Sequence, residues 1–416
     1  MTKTDNIYDV CVVGAGPAGL MAAGRAAQLG AKVVLIEKNS KPGRKLLLTG
    51  NGRCNLTNAK FNIKELADNY TNGSFLFHCF SVFGPKQTIE FFEELDLKTK
   101  IEAKDRVFPQ SDQAGDVLNA LIKYIDKSKV EKLFDSQIVD VDFSKGKIDK
   151  LILKNKEIFA KNYIFCTGGQ SYTETGSDGQ GYQFAKKLGH NISQLRPAEV
   201  PLKLKEEWVQ NLQGVGLKNT KITAISGKNK RSETGEIMFT QFGVSGPAAL
   251  NITLTASDFI EKEGIKLFLD FFPLENAEVL AKRIKQIFEK NPGKMFKNFA
   301  QEIIPLKLAL VVANISAIKE DDKASGISKE KLNTFIKNLK NFELTPNGLL
   351  GFDAANVTNG GVDIKEIDHK TMRSKIIKNL YFAGEIINVH GKTGGFNLQA
   401  CWSTGRLAGE SSAILK

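Results

Sequence analysis

Short apolar runs cut off by glycine mark both ends of the chain, and amphipathic stretches fill its centre. The run Tyr8-Asp9-Val10-Cys11-Val12-Val13 has strand length. It is followed by Gly14-Ala15-Gly16-Pro17-Ala18-Gly19, by the small-residue helical pattern Leu20 to Leu29, and by a second apolar run, Lys32 to Ile36, that stops at Glu37. The pattern predicts a βαβ unit. In such a unit the first glycine permits the tight turn, the second lets backbone approach a pyrophosphate, and the third lets helix and strand pack closely. The helix start adds unpaired N–H groups and about half a positive charge. Glu37 lies 21 residues after Gly16, where an acid accepts hydrogen bonds from an adenosine ribose. A dinucleotide site follows, without a choice of dinucleotide.

The other end of the chain makes that choice. Asn379 to Phe382 reads as a buried strand, followed by Ala383-Gly384-Glu385, then Gly391-Lys392-Thr393-Gly394-Gly395-Phe396-Asn397, and a small-residue helix through Leu415. A simple nicotinamide dehydrogenase does not need this return. An extended FAD does, because its ring system lies far from its adenosine and needs a second strand-to-helix turn. The fold class expected is therefore α/β, a Rossmann-like FAD-binding domain with a mainly parallel sheet.

In the middle, short apolar segments such as Val200 to Leu204, Lys221 to Ile225 and Ile265 to Phe272 alternate with turn residues, which predicts a β insertion over 195–274. Helical spacing over Ala277 to Phe288 and Lys329 to Leu339 predicts a helical insertion over 275–344. The FAD-binding domain is then discontinuous, 1–194 with 345–416. The two insertions are expected to cover the flavin.

At 416 residues, 42% hydrophobic and 25% charged, the chain is a globular protein of more than one domain and is neither disordered nor fibrous. Its 58 basic and 46 acidic residues leave a net charge of +12. Scattered lysines are more often solvated surface than a nucleic-acid footprint, so no nucleic acid is expected as partner. Five cysteines without a Cys-x-x-Cys pair fit neither a disulfide framework nor a thiolate metal site. The four histidines are too far apart in sequence for a metal set, so no metal is expected. No leader is read in the polar start, and no apolar run nears the ~18–20 residues that span a bilayer, which predicts a cytoplasmic protein away from membranes.

Several further segments carry a specific resemblance: Pro42-Gly43-Arg44-Lys45, Thr49-Gly50-Asn51-Gly52-Arg53-Cys54-Asn55, Arg106-Val107-Phe108-Pro109, Cys166-Thr167-Gly168-Gly169 and Gly243-Val244-Ser245-Gly246-Pro247-Ala248. With both termini they make the chain similar to FAD-dependent oxidoreductases of the glutathione-reductase superfamily. Within it, the chain resembles the family that includes aminoacetone oxidase and the bacterial bile-acid 4,6-reductase.

The resemblance implies that Gly14, Ala15, Gly16, Pro17, Ala18 and Gly19 hold the pyrophosphate, with Glu37 and Lys38 at the adenosine ribose and Ile138 by the adenine. Thr167, Gly168 and Gly169 would lie against the FAD. Lys45, Thr49, Gly50, Gly52, Arg53 and Cys54 would approach the flavin side, Gly384 and Glu385 the ribityl hydroxyls, and Gly394, Gly395, Phe396, Asn397 and Leu398 the isoalloxazine. The helix beginning near Asn397 can stabilise negative charge that develops at flavin N1 and C2=O when hydride reaches N5.

The family also implies hydride exchange with a small organic substrate, as an amine-type oxidase or as a reductase drawing on NAD(P)H as a transient donor. Two departures fall beside the expected substrate: Asn388 and His390 where acids are usual, and Thr173 where a proline is usual.

His390 leads into the flavin-side turn and is a candidate for proton transfer, against the reading of an exposed loop histidine. Tyr172, after the Gly-Gly turn, is a second candidate, or caps the pocket. Arg53 beside Cys54 could lower the thiol pKa, but a small packing residue is the simpler reading. Arg44 and Arg53 could clamp a phosphate or form structural ion pairs. Two rival classes stay open: a flavin-bearing RNA-modifying protein, suggested by the charge and the fingerprint, and a non-catalytic flavin redox sensor.

Overall fold

The computed structural model describes residues 7–262 and 264–413. The described residues form two compact units, divided between Pro197 and Ala198 and again between Ala355 and Asn356. Among the described residues no helix is long and apolar enough to cross a membrane.

The first unit is built on a five-stranded parallel sheet. Its strands are β1 (Tyr8–Val13), β2 (Val33–Ile36), β3 (Glu131–Leu133), β4 (Ala160–Phe165) and β5 (Leu380–Phe382), in the spatial order β5-β4-β1-β2-β3. The strands read as unbroken apolar runs because both faces are covered; every residue of Val10–Val12, Val34–Ile36 and Tyr163–Phe165 is 1% exposed or less. Helix α1 (Pro17–Gln28) carries β1 to β2, while β4 joins the other side of β1 much later in sequence. The strand order therefore reverses at β1. In open parallel sheets a crevice forms beyond the strand ends at such a reversal.

A terminal helix, α2 (Phe396–Ala413), lies along α1. A Cβ on Gly405 would come within 2.4 Å of the Ala18 carbonyl oxygen, and one on Gly409 within 2.4 Å of the Ala22 carbonyl oxygen. Two glycines four apart thus meet two alanines four apart, and the backbones touch where side chains would hold them off. An Arg25–Glu410 ion pair of 3.0 Å closes the crossing. The helix is read from sequence through Leu415, which lies outside the described residues.

The second unit contains a seven-stranded antiparallel sheet and the helices Ala277–Lys290, Leu306–Ile315 and Lys329–Lys340. The β and helical segments share one apolar core: Ile222, Leu267 and Leu269 of the sheet cluster with Ile284, Leu308 and Phe335 of the helices. The strand Phe342–Leu344 pairs with Lys266–Asp270, and Pro346–Leu349 pairs with Leu202–Leu204. Pairing across the sheet keeps Pro346–Leu349 in this unit, which ends at Ala355.

Replacing Gly405 with Val should cost about 1–3 kcal/mol through overpacking of the helix crossing. Gly115→Ala, at a position where a Cβ meets nothing within 4 Å, should leave stability nearly unchanged. Thermal denaturation of both variants checks this.

Candidate functional site

The crevice at the β1/β4 reversal is a cleft of about 1390 Å³, counted out to its solvent-facing mouth, and both chain ends line it. One wall is the turn after β1. Gly14 sits at φ +97°, and a Cβ there would lie 2.5 Å from the Cys166 carbonyl oxygen, while one on Gly19 would lie 1.8 Å from the Gly14 carbonyl oxygen. Gly14 and Gly19 are therefore demanded by packing. Gly16 differs, since a Cβ there would meet nothing within 4 Å, and its wall faces the open cleft. The start of α1 has no side-chain cap, which leaves its N–H groups turned to the same space.

Glu37, buried at the end of β2, fixes this turn. One carboxylate oxygen accepts from the Ala15 N–H at 2.8 Å, and the other accepts from Asn39 N–H at 2.9 Å and Asn39 Nδ2 at 2.8 Å. A loop crosses nearby, held by a 2.7 Å Lys38–Asp178 ion pair and by Asn39 Nδ2 donating to the Thr175 carbonyl at 3.0 Å. Ile138 lines this end, where Gln180 donates to its carbonyl oxygen.

Toward the other end, Thr167, Gly168, Lys45, Thr49, Gly384, Glu385, Asn397 and Leu398 line the cleft. Lys45 Nζ donates to Glu385 Oε2 at 2.9 Å and to Ser171 Oγ at 2.7 Å. Glu385 Oε1 accepts from Ser171 Oγ at 3.1 Å and from the Thr358 N–H at 2.9 Å. Burial pushes the Glu385 carboxyl up, but the Lys45 charge and these hydrogen bonds outweigh it and hold the group below the usual carboxylate range. The pair is an ionised, fully partnered device in the cleft wall.

Other predicted residues stand behind the wall. Arg53 forms ion pairs with Glu102 and Asp112 at 2.5 Å each, and its guanidinium lies 4.0 Å from the Phe108 ring centroid. It is a structural ion pair and no phosphate clamp, whereas Arg44 lines the cleft. The Arg53 anchor holds a loop in which Gly50, Asn51, Gly52 and Cys54 all adopt positive φ. Burial pushes the Cys54 thiol up to about 12, so the neighbouring cation does not activate it.

Gly169 abuts Thr358 and Glu385, where a Cβ would lie 2.6 Å from Thr358 Oγ1. Gly395 abuts Thr57, and Gly394 accepts from Asn58 Nδ2 through its carbonyl. Phe396 is buried edge-on to Tyr70, 5.8 Å between centroids. Asn397 closes a two-way clasp with Gly391, 2.8 Å in each direction.

His390 is 1% exposed and is no exposed loop histidine. Its Nε2 lies 2.8 Å from the Gly360 carbonyl oxygen, which makes Nε2 the protonated nitrogen, and Nδ1 is buried with no hydrogen-bond partner. Burial lowers its pKa to about 4, so the ring is neutral at neutral pH. Tyr172 donates to Asn356 Oδ1 at 3.1 Å, and it is Asn356 that lines the cleft.

Sequence reasoning missed Ser171, Thr358 and Asn356, whose role depends on tertiary partners. It also missed Ser177 and Asp178, for which the glycine-rich stretch Gly176 to Gly181 offered a signal.

These residues fit an FAD. The cleft has an open glycine backbone beside a bare helix start, a buried acid at the end of β2, and an orphaned buried hydroxyl, Thr167 Oγ1, in its wall. A second helix start, at α2, lies at the far end.

A model of the HI0933-like protein Rossmann domain family matches residues 8–411. The chain belongs to this family. It is 33% identical over 406 residues to the 3-dehydro-bile acid delta(4,6)-reductase of Clostridium scindens, covering 97% of this chain and 98% of that one. It is 31% identical over 408 residues to the ribosomal RNA dihydrouridine synthase of Haemophilus influenzae, covering 94% and 95%. The fold is shared with a 3-ketosteroid delta1-dehydrogenase from Sterolibacterium denitrificans, at TM-score 0.54 and 14% identity over 98% of this chain and 99% of that one.

Two outcomes follow from the site. Gly16→Val should lose bound FAD while its flavin-free form melts at the same temperature as flavin-free wild type, whereas Gly19→Val should lower the melting temperature of the flavin-free protein as well; flavin absorbance per chain and thermal denaturation separate the two. For His390, the unfolded side chain takes up a proton near pH 6.5 while the folded one resists to about pH 4. Stability should therefore fall as the pH drops through that window, by up to about 3 kcal/mol at 1.36 kcal/mol per pH unit. His190, also lowered by burial, acts in the same direction. His390→Asn should flatten the slope in denaturant titrations run between pH 7 and 4.

Proposed function

We propose that this protein is an FAD-dependent oxidoreductase that saturates a carbon–carbon double bond conjugated to a carbonyl. The observation that carries the flavin part is the single cleft built from both chain ends at the sheet's reversal point. The reaction class is supported by two relatives of nearly equal likeness, one named for a bile-acid delta(4,6)-reductase and one for dihydrouridine synthesis. Each name describes adding two hydrogens to an alkene activated by a carbonyl.

Bound FAD would supply the hydride chemistry. The chain's own residues bind and orient. Gly14 to Gly19 and the start of α1 receive the pyrophosphate, and Lys38 and Glu37, with Ile138 beside them, receive the adenosine. Thr167 and Gly168 flank the middle, Gly384 and Glu385 take the ribityl end, and Asn397 and Leu398 at the start of α2 receive the ring system. Behind them, Gly50, Gly52, Arg53 and Cys54 shape the loop that carries Lys45 and Thr49, and Gly169, Gly394, Gly395 and Phe396 set the two glycine turns.

Lys45 Nζ, held by Ser171 and Glu385, is the charged donor on the cleft wall and holds a proton there. Tyr172 acts on the cleft through Asn356. His390, neutral and tied to Gly360, positions the turn that Asn397 clasps. NADH or NADPH serves as the electron donor in this reading.

A second substrate reading is favoured by the dihydrouridine relatives and by the +12 charge: the alkene is the uracil 5,6-bond within RNA.

Anaerobic protein bleached with NADH or NADPH should regain its yellow colour on addition of an α,β-unsaturated ketone, a uridine-containing RNA, or both. Bleaching by amines, with colour restored only by oxygen, would assign the protein to oxidases instead.

A further inference from the structure

The second unit carries a basic surface that neither the cleft nor the cofactor uses. Between Glu207 and Glu233 the chain has no acidic residue and five cations: Lys218, Lys221, Lys228, Lys230 and Arg231. They lie on the hairpin of Gly216–Ser226 and Asn229–Thr240, and all five are exposed.

The register sorts them. Ile225 pairs with Lys230 on one side and with Lys266 on the other, Thr223 pairs with Ser232 and Phe268, and Lys221 pairs with Thr234 and Asp270. Because side chains alternate along a strand, these three rows share one face. The intervening residues Ile222, Ala224, Leu267 and Leu269 are fully buried on the opposite face.

The outer face thus presents Lys221 and Lys230 beside the hydroxyls of Ser232 and Thr234, with half-buried Phe268 among them. Of its acids, Glu343 pairs with Lys266 at 2.7 Å and Asp270 with Lys340 at 2.7 Å, and the exposed Glu236 lies six residues along the strand from Lys230. Among the described residues Lys221 and Lys230 have no such partner, so their charge is free to act outward.

Unpaired cations interleaved with hydroxyl donors on a solvent-facing sheet suit a phosphate backbone, in which charge drives affinity and hydroxyls add hydrogen bonds to phosphate oxygens. We propose that this sheet face, with the hairpin tip at Lys228, is where the protein docks the phosphate backbone of an RNA substrate. The inference rests on the RNA reading of the substrate and names the surface that reading requires.

The test uses the full-length, flavin-loaded protein and a fluorescent uridine-containing stem–loop RNA, with anisotropy measured across a salt series. Wild type should bind with an affinity that falls steeply as salt rises. The double variant K221E/K230E should bind at least about tenfold more weakly and with a shallower salt slope by roughly one to two units. Flavin content, melting temperature and reduction of a small enone should be unchanged. The reversal of two exposed cations elsewhere in this unit, K282E/K329E, should leave RNA binding as in wild type.

If wild type binds RNA and K221E/K230E binds equally well, the docking surface is wrong while the RNA reading survives. If wild type binds no RNA, both fall. Binding of the same face to vesicles of anionic lipid, with RNA ignored, would also overturn the proposal.

Discussion

The first unit depends on how closely α1 and α2 approach. Ala18 and Ala22 present bare backbone on one helix, Gly405 and Gly409 on the other, and no side chain stands between them. That approach brings the start of α2 to the same cleft as the turn after β1, although nearly the whole chain separates them in sequence. A single bulky residue in either pair would move the two helix starts apart, and a cofactor long enough to need both would lose one end of its site. Small residues here are therefore a geometric requirement of function as well as of packing.

Within that frame, charge is distributed with a clear division. Glu37 directs its carboxylate oxygens to the Ala15 and Asn39 N–H groups and to the Asn39 side-chain amide, so it shapes the turn. Lys45 and Glu385 form an ion pair that is costly to bury and is stabilised by Ser171 and the Thr358 N–H. Arg53 looks similar in sequence but faces away from the cleft, toward Glu102 and Asp112, where it anchors a loop of left-handed residues. Two basic residues eight positions apart thus do different work: Lys45 presents charge to the cleft, and Arg53 holds the loop that connects them in place.

The second unit illustrates the same separation between pattern and assembly. Its strands and helices each follow their own periodicity, yet they have one core in common, because neither a single antiparallel sheet face nor three short helices can bury enough apolar surface alone. The outer face of that sheet is left polar and basic, and alternation along the strands is what keeps its lysines outward while every second residue is buried.

The sequence by itself determined the βαβ turn, the acid after β2, the returning strand and glycine turn near the C-terminus, and the helices of the middle. Each is a local signal, in which spacing and residue type alone dictate backbone conformation or burial. Tertiary structure decided which groups meet. Ser171 and Thr358 reach Glu385, Asn356 reaches Tyr172, and His390 is sealed inside the fold, because contacts between residues far apart in the chain follow from the order and packing of strands and helices. The same holds for the fate of Arg53 and for Pro346–Leu349, whose pairing with Leu202–Leu204 in the second sheet outweighed their nearness in sequence to the first unit.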